Sequence, residues 1–560
     1  MARVVPEVIH HATIYVAEEM GVVLRRTARS PNIRDRRDLS CAVATPEGEM
    51  VALAEHIPVH LGSMAVGIRE TISYLEREGV ELAEGDVVIV NDPYIAGTHL
   101  NDIMLMAPVY RGGRLVGYVV NKAHHVDVGG RSPCSIGIAR SLYEEGVVIE
   151  PQKLVERGSL RKDLLEEISR RVRAPDYLLH DLTAQLSSIE AGIREVIRLV
   201  DRYGADGVLD AWRWALDYIE GYARSAIEDA PKGRYSARDF LEADGELVGI
   251  SATVELGRGR ATVDFEGTHR QLDKPLNAVY GVTVAASTFA LKCVLDPQMP
   301  MNSGFYRVVA VKAPRGSLVN PVKPAPVSMG NLETSQRIVD VVLEALRGCF
   351  PDRIPAMPHG SMNNVMFGGS DGARTWVFYE TIGGGMGARP CRDGVDGVHV
   401  NMTNTLNTPV EVIEREYPLM VLEYSLRPDS GGAGRYRGGL GIRRVYKLLR
   451  GSATLTVAME RTRVAPRGAA GGGEGARGRC LVVRRNGSVY ALGSKGSIAL
   501  SEGDIIIVET AGGGGYGSPE ERDPRLLAED LEDGKVTVEG LKAYGWLSVA
   551  KRNPRRSNGF

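Results

Sequence analysis

Apolar side chains recur at intervals of three and four residues along several long segments of the chain. Such spacing places the apolar positions on one side of an α-helix. It predicts helices near 7–28 and 63–77, a long helical stretch from about 160 to 230, and further helices near 278–295 and 333–349. We interpret the 160–230 stretch as scaffold.

Other segments show the short apolar runs or the alternation that predict β-strands. DVVIVND and RLVGYVVNKAHHVDVGG are such runs in the first part of the chain, and LVGISATVEL and RATVDFEG follow Pro231. Beyond about Met357, strands dominate and glycine clusters recur as GGGMGA, SGGAGRYRGGLG, AAGGGEGARG and AGGGGYGSP. Because their spacing is irregular and their flanks differ, the clusters are not predicted to be structural repeats.

These patterns predict an α+β protein, a mixed multi-layer fold with a helical middle and a β-rich C-terminal part. We expect an α/β part at 1–155 that bears the candidate metal ligands, and a helical part at 156–235. An α/β part at 236–356 and a glycine-rich, β-rich part at 357–560 follow. No long Ser/Pro-rich linker separates these parts, so we expect them to pack closely.

Composition narrows the classes of function. The chain has 560 residues, 43% hydrophobic, with a net charge of -2, so it gives no overall attraction to nucleic acid or to an anionic membrane. Its six cysteines are scattered without a CxxC pair, which argues against a disulfide framework and a zinc ribbon. The charged, amphipathic N-terminus is unlike a signal peptide and no membrane span is predicted, so we expect a cytoplasmic protein.

Two strand-like runs carry the densest group of possible metal ligands. NDPYIAGTHLND and NKAHHVDVGG together supply Asp92, His99, Asp102, His124, His125 and Asp127. If the second run is a strand, His125 and Asp127 share one face and His124 lies on the other. Mixed nitrogen and oxygen ligands suit Zn, Mn, Fe or Co. The alternative is that these residues are capping and turn groups around a buried histidine pair.

Further side chains could join this group. Asp38, which precedes an apparent strand, could add a carboxylate or could be a structural acid paired with arginine. His56 and His60 are four residues apart, as on a helix face, but Pro58 between them favours a turn. Glu380 would be a general base if its glycine loop closes on the metal. Cys41 and Cys134 are predicted to be small apolar residues.

Motifs for nucleotide binding and for a serine nucleophile are weak or missing. Gly383 to Ala388 matches GxGxxA, but no helix is predicted after it to hold a pyrophosphate. The chain contains no GxxxxGK[ST] motif, and no serine nucleophile elbow is predicted. We therefore expect no nucleotide site of these types in this chain.

A series of long motifs carries a resemblance to a known family. They are AEEMGVVLRRTARSPNIRDRRDLSCA, AEHIPVHLGSM, NDPYIAGTHLND, HHVDVGG, YETIGGGMGARP, NTPVEVIEREYP, SGGAGRYRGGLG and GGGGYGSPEERDP. In these segments, and over nearly its whole length, the chain resembles the hydantoinase B/oxoprolinase family. That family includes B subunits of N-methylhydantoinase and of ATP-driven lactamases, and the alpha subunits of acetone and acetophenone carboxylases.

The resemblance implies a catalytic divalent metal (Zn, Mn, Co or Fe) held by Asp38, His99, Asp102 and one of His124 and His125. We predict His124 as the ligand, and His125, Asp127 and Glu380 as catalytic residues. The resemblance also implies a hetero-oligomer with a hydantoinase A-type ATPase subunit. In that picture ATP activates the oxygen of a small cyclic amide, such as hydantoin, N-methylhydantoin or 5-oxoproline, as a phosphate ester, and the ring is opened at this chain's metal.

Two rival functions remain. An ATP-dependent ketone carboxylase would require bicarbonate and a third, small subunit; the chain is shorter than acetone carboxylase alpha subunits usually are, which favours the amidohydrolase. A non-catalytic scaffold for the A subunit is disfavoured because the His/Asp set is retained. Asn101 and Cys134 depart from the proline and glycine that the family commonly has, which leaves loop shape and substrate choice open.

Overall fold

The computed structural model describes residues 6–54 and 56–545, and its N-terminal third is built on a seven-stranded sheet. The strands are β1 (Leu39–Ala44), β2 (Met50–Leu53), β3 (Val87–Val90), β4 (Asp102–Arg111), β5 (Arg114–His124), β6 (Gln152–Glu156) and β7 (Ser159–Leu160). They are antiparallel in the order β2-β1-β5-β4-β3-β6-β7. Strands β4 and β5 are buried over most of their length, as their near-continuous apolar runs indicate.

Helices cover this sheet. They are α1 (Pro6–Thr27), α2 (Pro31–Arg34), α3 (Pro58–Arg77), α4 (Pro93–Ala96), α5 (Leu142–Glu145), α6 (Lys162–Ser169), α7 (Pro175–Tyr203) and α8 (Ala205–Asp229). α7 packs against α1, β4 and β5. The turn predicted around Pro58 is wrong: Pro58 is the first residue of α3, where its missing N–H is not needed, and His60 lies in the first helical turn.

A second sheet and three helices form the middle of the chain. The strands β8 (Gly233–Ala243), β9 (Glu246–Gly257), β10 (Arg260–Asp264) and β11 (Val309–Lys312) pair in the order β11-β10-β9-β8, next to α9 (Tyr280–Leu295), α10 (Ser303–Tyr306) and α11 (Ser335–Leu346). A π-helical turn, Gly330–Thr334, leads directly into α11. α9 is buried almost all round between α3 and α11. Among residues 6–54 and 56–545, no helix is both long and apolar enough to cross a bilayer.

The C-terminal part contains two further sheets. Its elements are β12 (Asn364–Ser370), β13 (Thr375–Thr381), α12 (Val410–Glu416), β14 (Leu419–Leu426), β15 (Ile442–Leu448), β16 (Ser452–Ala458), β17 (Arg479–Val483), β18 (Val489–Leu492), β19 (Lys495–Ser501), β20 (Ile505–Glu509) and α13 (Pro524–Glu532). One sheet has the order β13-β12-β16-β19 and the other β14-β15-β20-β17-β18. The predicted mixed α+β fold with a β-rich C-terminal part is confirmed.

Strand β13 lies between two hydrophobic cores. Val377 and Tyr379 belong to the large core that runs through the N-terminal and middle sheets. Trp376 and Phe378, on the opposite face, belong to the core of the C-terminal sheets. Side chains of one strand alternate between faces, so β13 presents Tyr379 toward the N-terminal half. The boundaries predicted for the four parts stay a prediction.

The glycine clusters of the C-terminal part meet in space. Gly513 donates to the carbonyl of Gly439 and accepts from the N–H of Gly432, while Gly385 donates to Ala511. A Cβ on Gly513 would lie 2.0 Å from the carbonyl oxygen of Met386. Backbone therefore packs directly on backbone, and glycine is required at these crossings because no side chain fits.

Candidate metal centre

Three of the predicted ligands converge where two neighbouring strands meet. β4 begins at Asp102 and β5 ends at His124, and the antiparallel register places these two residues opposite each other. His99 precedes Asp102 by three residues in the turn that leads into β4. The distances between His99 Nε2, Asp102 Oδ1 and His124 Nδ1 are all 3.1 Å. The side chains are almost completely buried, with at most 3% of each exposed.

Two more side chains border this triangle. Asp38, the residue before β1, has Oδ2 3.9 Å from His124 Nδ1 and is the most exposed of the four, at 11% of its side chain. His60, at the start of α3, has Nε2 3.2 Å from Asp102 Oδ2. The structure thus brings Asp38, His99, Asp102 and His124 together as the sequence predicted, and adds His60 on the second oxygen of Asp102.

A hydrogen bond to the backbone fixes the orientation of the His99 ring. Its Nδ1 lies 3.2 Å from the carbonyl oxygen of Ser328, which can only accept, so Nδ1 carries the hydrogen and donates it. The neutral ring then keeps a lone pair on Nε2, directed at Asp102 and His124. The backbone N–H groups of Val327 and Ser328 donate to the buried Glu145 carboxyl group. Burial raises the pKa of Glu145 to about 7.

The buried side chains of the triangle shift one another's pKa values. Burial by itself would lower the pKa of His99, but the carboxylate of Asp102 outweighs it and the pKa is raised. Burial would raise the pKa of Asp102, yet His99 and His60 hold it well below its ordinary value. For His124 burial dominates and lowers the pKa. A carboxylate beside imidazoles that differ in proton affinity is a donor set suited to a cation.

The geometry fits a divalent ion. Buried lone-pair donors that point at one another repel unless a proton or a cation lies between them. Three donor atoms that are 3.1 Å apart are close enough together for one divalent ion to contact all of them at about 2.1 Å. His99, Asp102 and His124 form such a group, and Asp38 lies beside its accessible side.

His125 and Asp127 have other partners. β5 ends at His124, and the imidazole of His125 contacts Gln185 of α7, with Nε2 2.8 Å from Oε1. Asp127 accepts from the N–H groups of Gly129, Cys134 and Arg173 and pairs with the Arg173 side chain. The structure does not bring either side chain into the triangle. Asp127 instead fixes a loop in which Cys134 has a left-handed φ of 59°, a conformation that favours glycine.

Glu380 is also held away from the triangle. Its carboxylate lies 3.2 Å from Arg36 Nε and 3.6 Å from Arg444 Nη1, and it accepts the N–H of Thr408. Both oxygens of Glu380 are thus occupied by structural partners. The geometry therefore gives Glu380 a structural ion pair in place of the general-base role that we predicted from sequence.

Three more of the singled-out residues receive structural roles. Asp92 caps α4 and pairs with Lys323. Cys41 and Cys134 are buried free thiols, as an apolar role requires. Tyr379, which the sequence analysis missed, stacks on His124 with ring centroids 5.0 Å apart. The only sequence signal for Tyr379 was its place in a predicted strand beside the glycine cluster.

Comparison with known proteins assigns the chain to a family. The model of the hydantoinase B/oxoprolinase family matches residues 3–519. The chain belongs to the hydantoinase B/oxoprolinase family. It is 54% identical to an uncharacterized protein of Methanocaldococcus jannaschii, over 99% of this chain and 97% of that protein. It is 32% identical to a Pseudomonas protein named as the B subunit of a D-/L-hydantoinase, over 95% of this chain and 92% of that one.

A longer relative and two solved structures extend the comparison. The chain is 34% identical to 5-oxoprolinase 1 of Arabidopsis thaliana over 91% of its own length, but it spans only 41% of that enzyme. The ATP-dependent caprolactamase from Pseudomonas jessenii superimposes with a TM-score of 0.90 at 29% identity, over 96% of this chain and 95% of that one. An acetone carboxylase shares the fold with a TM-score of 0.90 at 18% identity, over 99% and 84% of the chains.

Proposed function

We propose that this family member is the metal-dependent B subunit of an ATP-dependent cyclic amide hydrolase. The buried triangle of His99, Asp102 and His124, with Asp38 beside it, is the observation that supports this function most directly. The relatives named for 5-oxoproline, hydantoin and caprolactam chemistry share one substrate class, an amide closed into a ring. Hydantoin, N-methylhydantoin and 5-oxoproline are the substrates to test first.

The chain's own residues define how such a site would work. A divalent ion held by His99, Asp102, His124 and Asp38 would polarise the amide carbonyl and lower the pKa of water. Asp102 is fixed on both oxygens, by His60 on one side and by the two other imidazoles on the other. Asp38 is the most exposed member of the set, so its carboxylate is the part of the site that solvent reaches most easily.

The proposal includes a partner that consumes ATP. Opening an unstrained lactam is unfavourable, and phosphorylation of the amide oxygen would drive it. The sequence has no GxxxxGK[ST] loop, and no helix is predicted after its GxGxxA match to hold a pyrophosphate. The Pseudomonas relative is named as one subunit, and the Arabidopsis enzyme is more than twice as long as the region matched here. We therefore propose a hydantoinase A-type ATPase subunit as the partner, in a hetero-oligomer.

The test is an activity assay on the chain co-purified with its A subunit. Ring opening of the three candidate amides is scored with and without ATP, and with and without bicarbonate, and bound metal is measured by elemental analysis. We expect ATP-dependent ring opening without bicarbonate and about one divalent ion per chain. Turnover that needs bicarbonate and a ketone would move the chain to carboxylation, and an active complex without metal would refute the metal site.

Variants test whether removing a candidate ligand abolishes metal binding without unfolding the chain. His99→Ala and Asp102→Asn should lose metal and ring opening while the chain stays folded. His11→Ala, which removes an exposed histidine of α1, is the matched control and should keep both. Unchanged metal content in the first two variants would overturn the ligand assignment, and a complex that is inactive with every substrate despite bound metal would favour the scaffold.

A further inference from the structure

Tyr379 forms one wall of the candidate metal centre from the far side of the chain. Its ring stacks on the imidazole of His124 with an interplanar angle of 20°. The guanidinium carbon of Arg36 lies 4.5 Å from the centroid of the same tyrosine ring. Arg36 is itself held by Glu380. The imidazole, the phenol and this ion pair are buried in contact, so the plane of Tyr379 limits how His124 can turn.

The hydroxyl group of Tyr379 is anchored through a second residue. It donates to Asn364 Oδ1 at 2.8 Å, and Asn364 Nδ2 donates to Glu333 Oε1 at 2.7 Å. Glu333 Oε1 also accepts the N–H of Met362. Tyr379, Asn364 and Glu333 are each at most 2% exposed. A buried chain of this kind stays in one arrangement because breaking any link leaves a polar group unpaired.

Glu333 lies on a segment that already supports the site. It belongs to the π-helical turn Gly330–Thr334, which begins two residues after Ser328. Ser328 receives the hydrogen bond from His99 Nδ1. One short segment thus fixes His99 directly and reaches His124 through Asn364 and Tyr379. Single π-helical turns occur frequently at functional sites.

We propose that Tyr379, anchored by Asn364 and Glu333, is a positioning residue that fixes the imidazole plane of His124 for metal binding. The inference rests on the metal site of the proposed function and extends it to three residues outside the ligand set. Partners that orient a metal ligand usually change metal affinity about 10- to 100-fold when they are removed. The hydroxyl of Tyr379 acts on His124 indirectly, through the orientation of the tyrosine ring. We therefore expect its loss to weaken metal binding by about tenfold, the lower end of that range.

The experiment measures Co²⁺ binding to the full chain by competition with a chromophoric chelator, together with the visible absorption of the bound ion. Tyr379→Phe keeps the stacked ring and removes the anchor, and we expect Co²⁺ to bind about tenfold more weakly with an altered spectrum. Glu333→Ala should weaken binding to the same degree. Glu333→Gln retains an oxygen that can accept from Asn364 and should bind Co²⁺ like the wild type.

A double variant tests whether the residues act in series. If Glu333 acts through Tyr379, then Tyr379→Phe combined with Glu333→Ala should bind Co²⁺ no more weakly than Tyr379→Phe alone. Tyr110→Phe is the matched control, since it removes a tyrosine hydrogen bond of the same 2.8 Å length at the far end of β4. It should change neither the affinity nor the spectrum.

The outcomes separate this inference from the proposed function. A wild-type chain that binds no Co²⁺ overturns the metal site and the positioning role together. A wild-type chain that binds Co²⁺ while Tyr379→Phe binds within twofold and with the same spectrum overturns the positioning role alone. Fully additive losses in the double variant also overturn it. Tyr379→Phe keeps the test decisive if Glu333→Ala fails to fold, because it removes a single oxygen atom.

Discussion

Replacing Asp127 with asparagine should destabilise the chain without removing the candidate metal site. Asp127 is 1% exposed and its two oxygens have different partners. Oδ1 accepts the N–H groups of Gly129 and Arg173, and Oδ2 accepts the N–H of Cys134 and the side chain of Arg173. Asparagine can keep the first pair of hydrogen bonds, but its amide group would face two donors at the second position.

The size of the effect follows from those two lost contacts. An unpaired, buried N–H group at Cys134 costs about 1–3 kcal/mol. The Arg173 side chain is 32% exposed, so solvent screening limits its ion pair to at most about 1 kcal/mol. Cys134 adds strain, because its φ of 59° is unfavourable for a residue with a Cβ and depends on the Asp127 contact. We expect about 2–4 kcal/mol in total.

Thermal unfolding and Co²⁺ affinity together give the assay. Asp127→Asn should lower the Tm by about 2–3 °C, while Co²⁺ binds as to the wild type below the transition. Ring opening per folded molecule should be within a few-fold of the wild type. Asp201→Asn, at an exposed ion pair with Arg111, is the control and should leave the Tm unchanged. A variant with wild-type Tm and no ring opening would refute the structural role and restore the catalytic one.

Three further measurements test other parts of the molecule. Burial raises the pKa of Glu333 from 4.5 to about 8, so between these pH values the folded chain keeps a proton that the unfolded chain loses, and stability should fall as pH rises through this window. Glu333→Gln should flatten that part of the pH profile of the Tm, and an unchanged profile would contradict the pKa shift. Gly513→Ala should prevent stable packing of the C-terminal part, seen by limited proteolysis. Gly221→Ala, at an exposed position of helix α8, should instead raise the free energy of unfolding by about 1 kcal/mol, and equal behaviour of the two variants would contradict the packing argument. A maleimide should label Cys391 before Cys293: both residues reach the surface, but neighbouring groups desolvate the Cys293 thiol and raise its pKa to about 11, which lowers its thiolate fraction. Faster labelling of Cys293, read by mass spectrometry, would contradict this order.

Sequence patterns predicted only part of the structure that carries the candidate metal ligands. His124 ends a run that was predicted as a strand, but the strand β4 that begins at Asp102 was not predicted. The antiparallel pairing of β4 with β5 places Asp102 opposite His124. The resemblance supplied Asp38 as the fourth member. The alternation of side chains between the two faces of a strand did not predict the direction of His125. The reason is that β5 ends at His124, so the pattern no longer applies at the next residue.

The remaining site residues depend on tertiary packing that local patterns do not carry. His60 was placed in a turn because Pro58 precedes it, although proline is favoured in the first turn of a helix. Tyr379 reaches His124 only because β13 lies between the two cores. Glu380 follows Tyr379 in the chain, but its carboxylate pairs with Arg36 and Arg444, and Arg36 also contacts the Tyr379 ring. These long-range partners cannot be inferred from the local sequence.

The crossing of glycine segments also determines when the protein can finish folding during synthesis. Residues 511–517 form the layer that the segments around Gly385, Gly432 and Gly473 contact, and they are made after all of these. Until that last segment leaves the ribosome, the backbone groups of the earlier glycine segments that pair with it remain open to water. A chain that stops before residue 511 would keep every candidate metal ligand and still lack the layer that closes its C-terminal part.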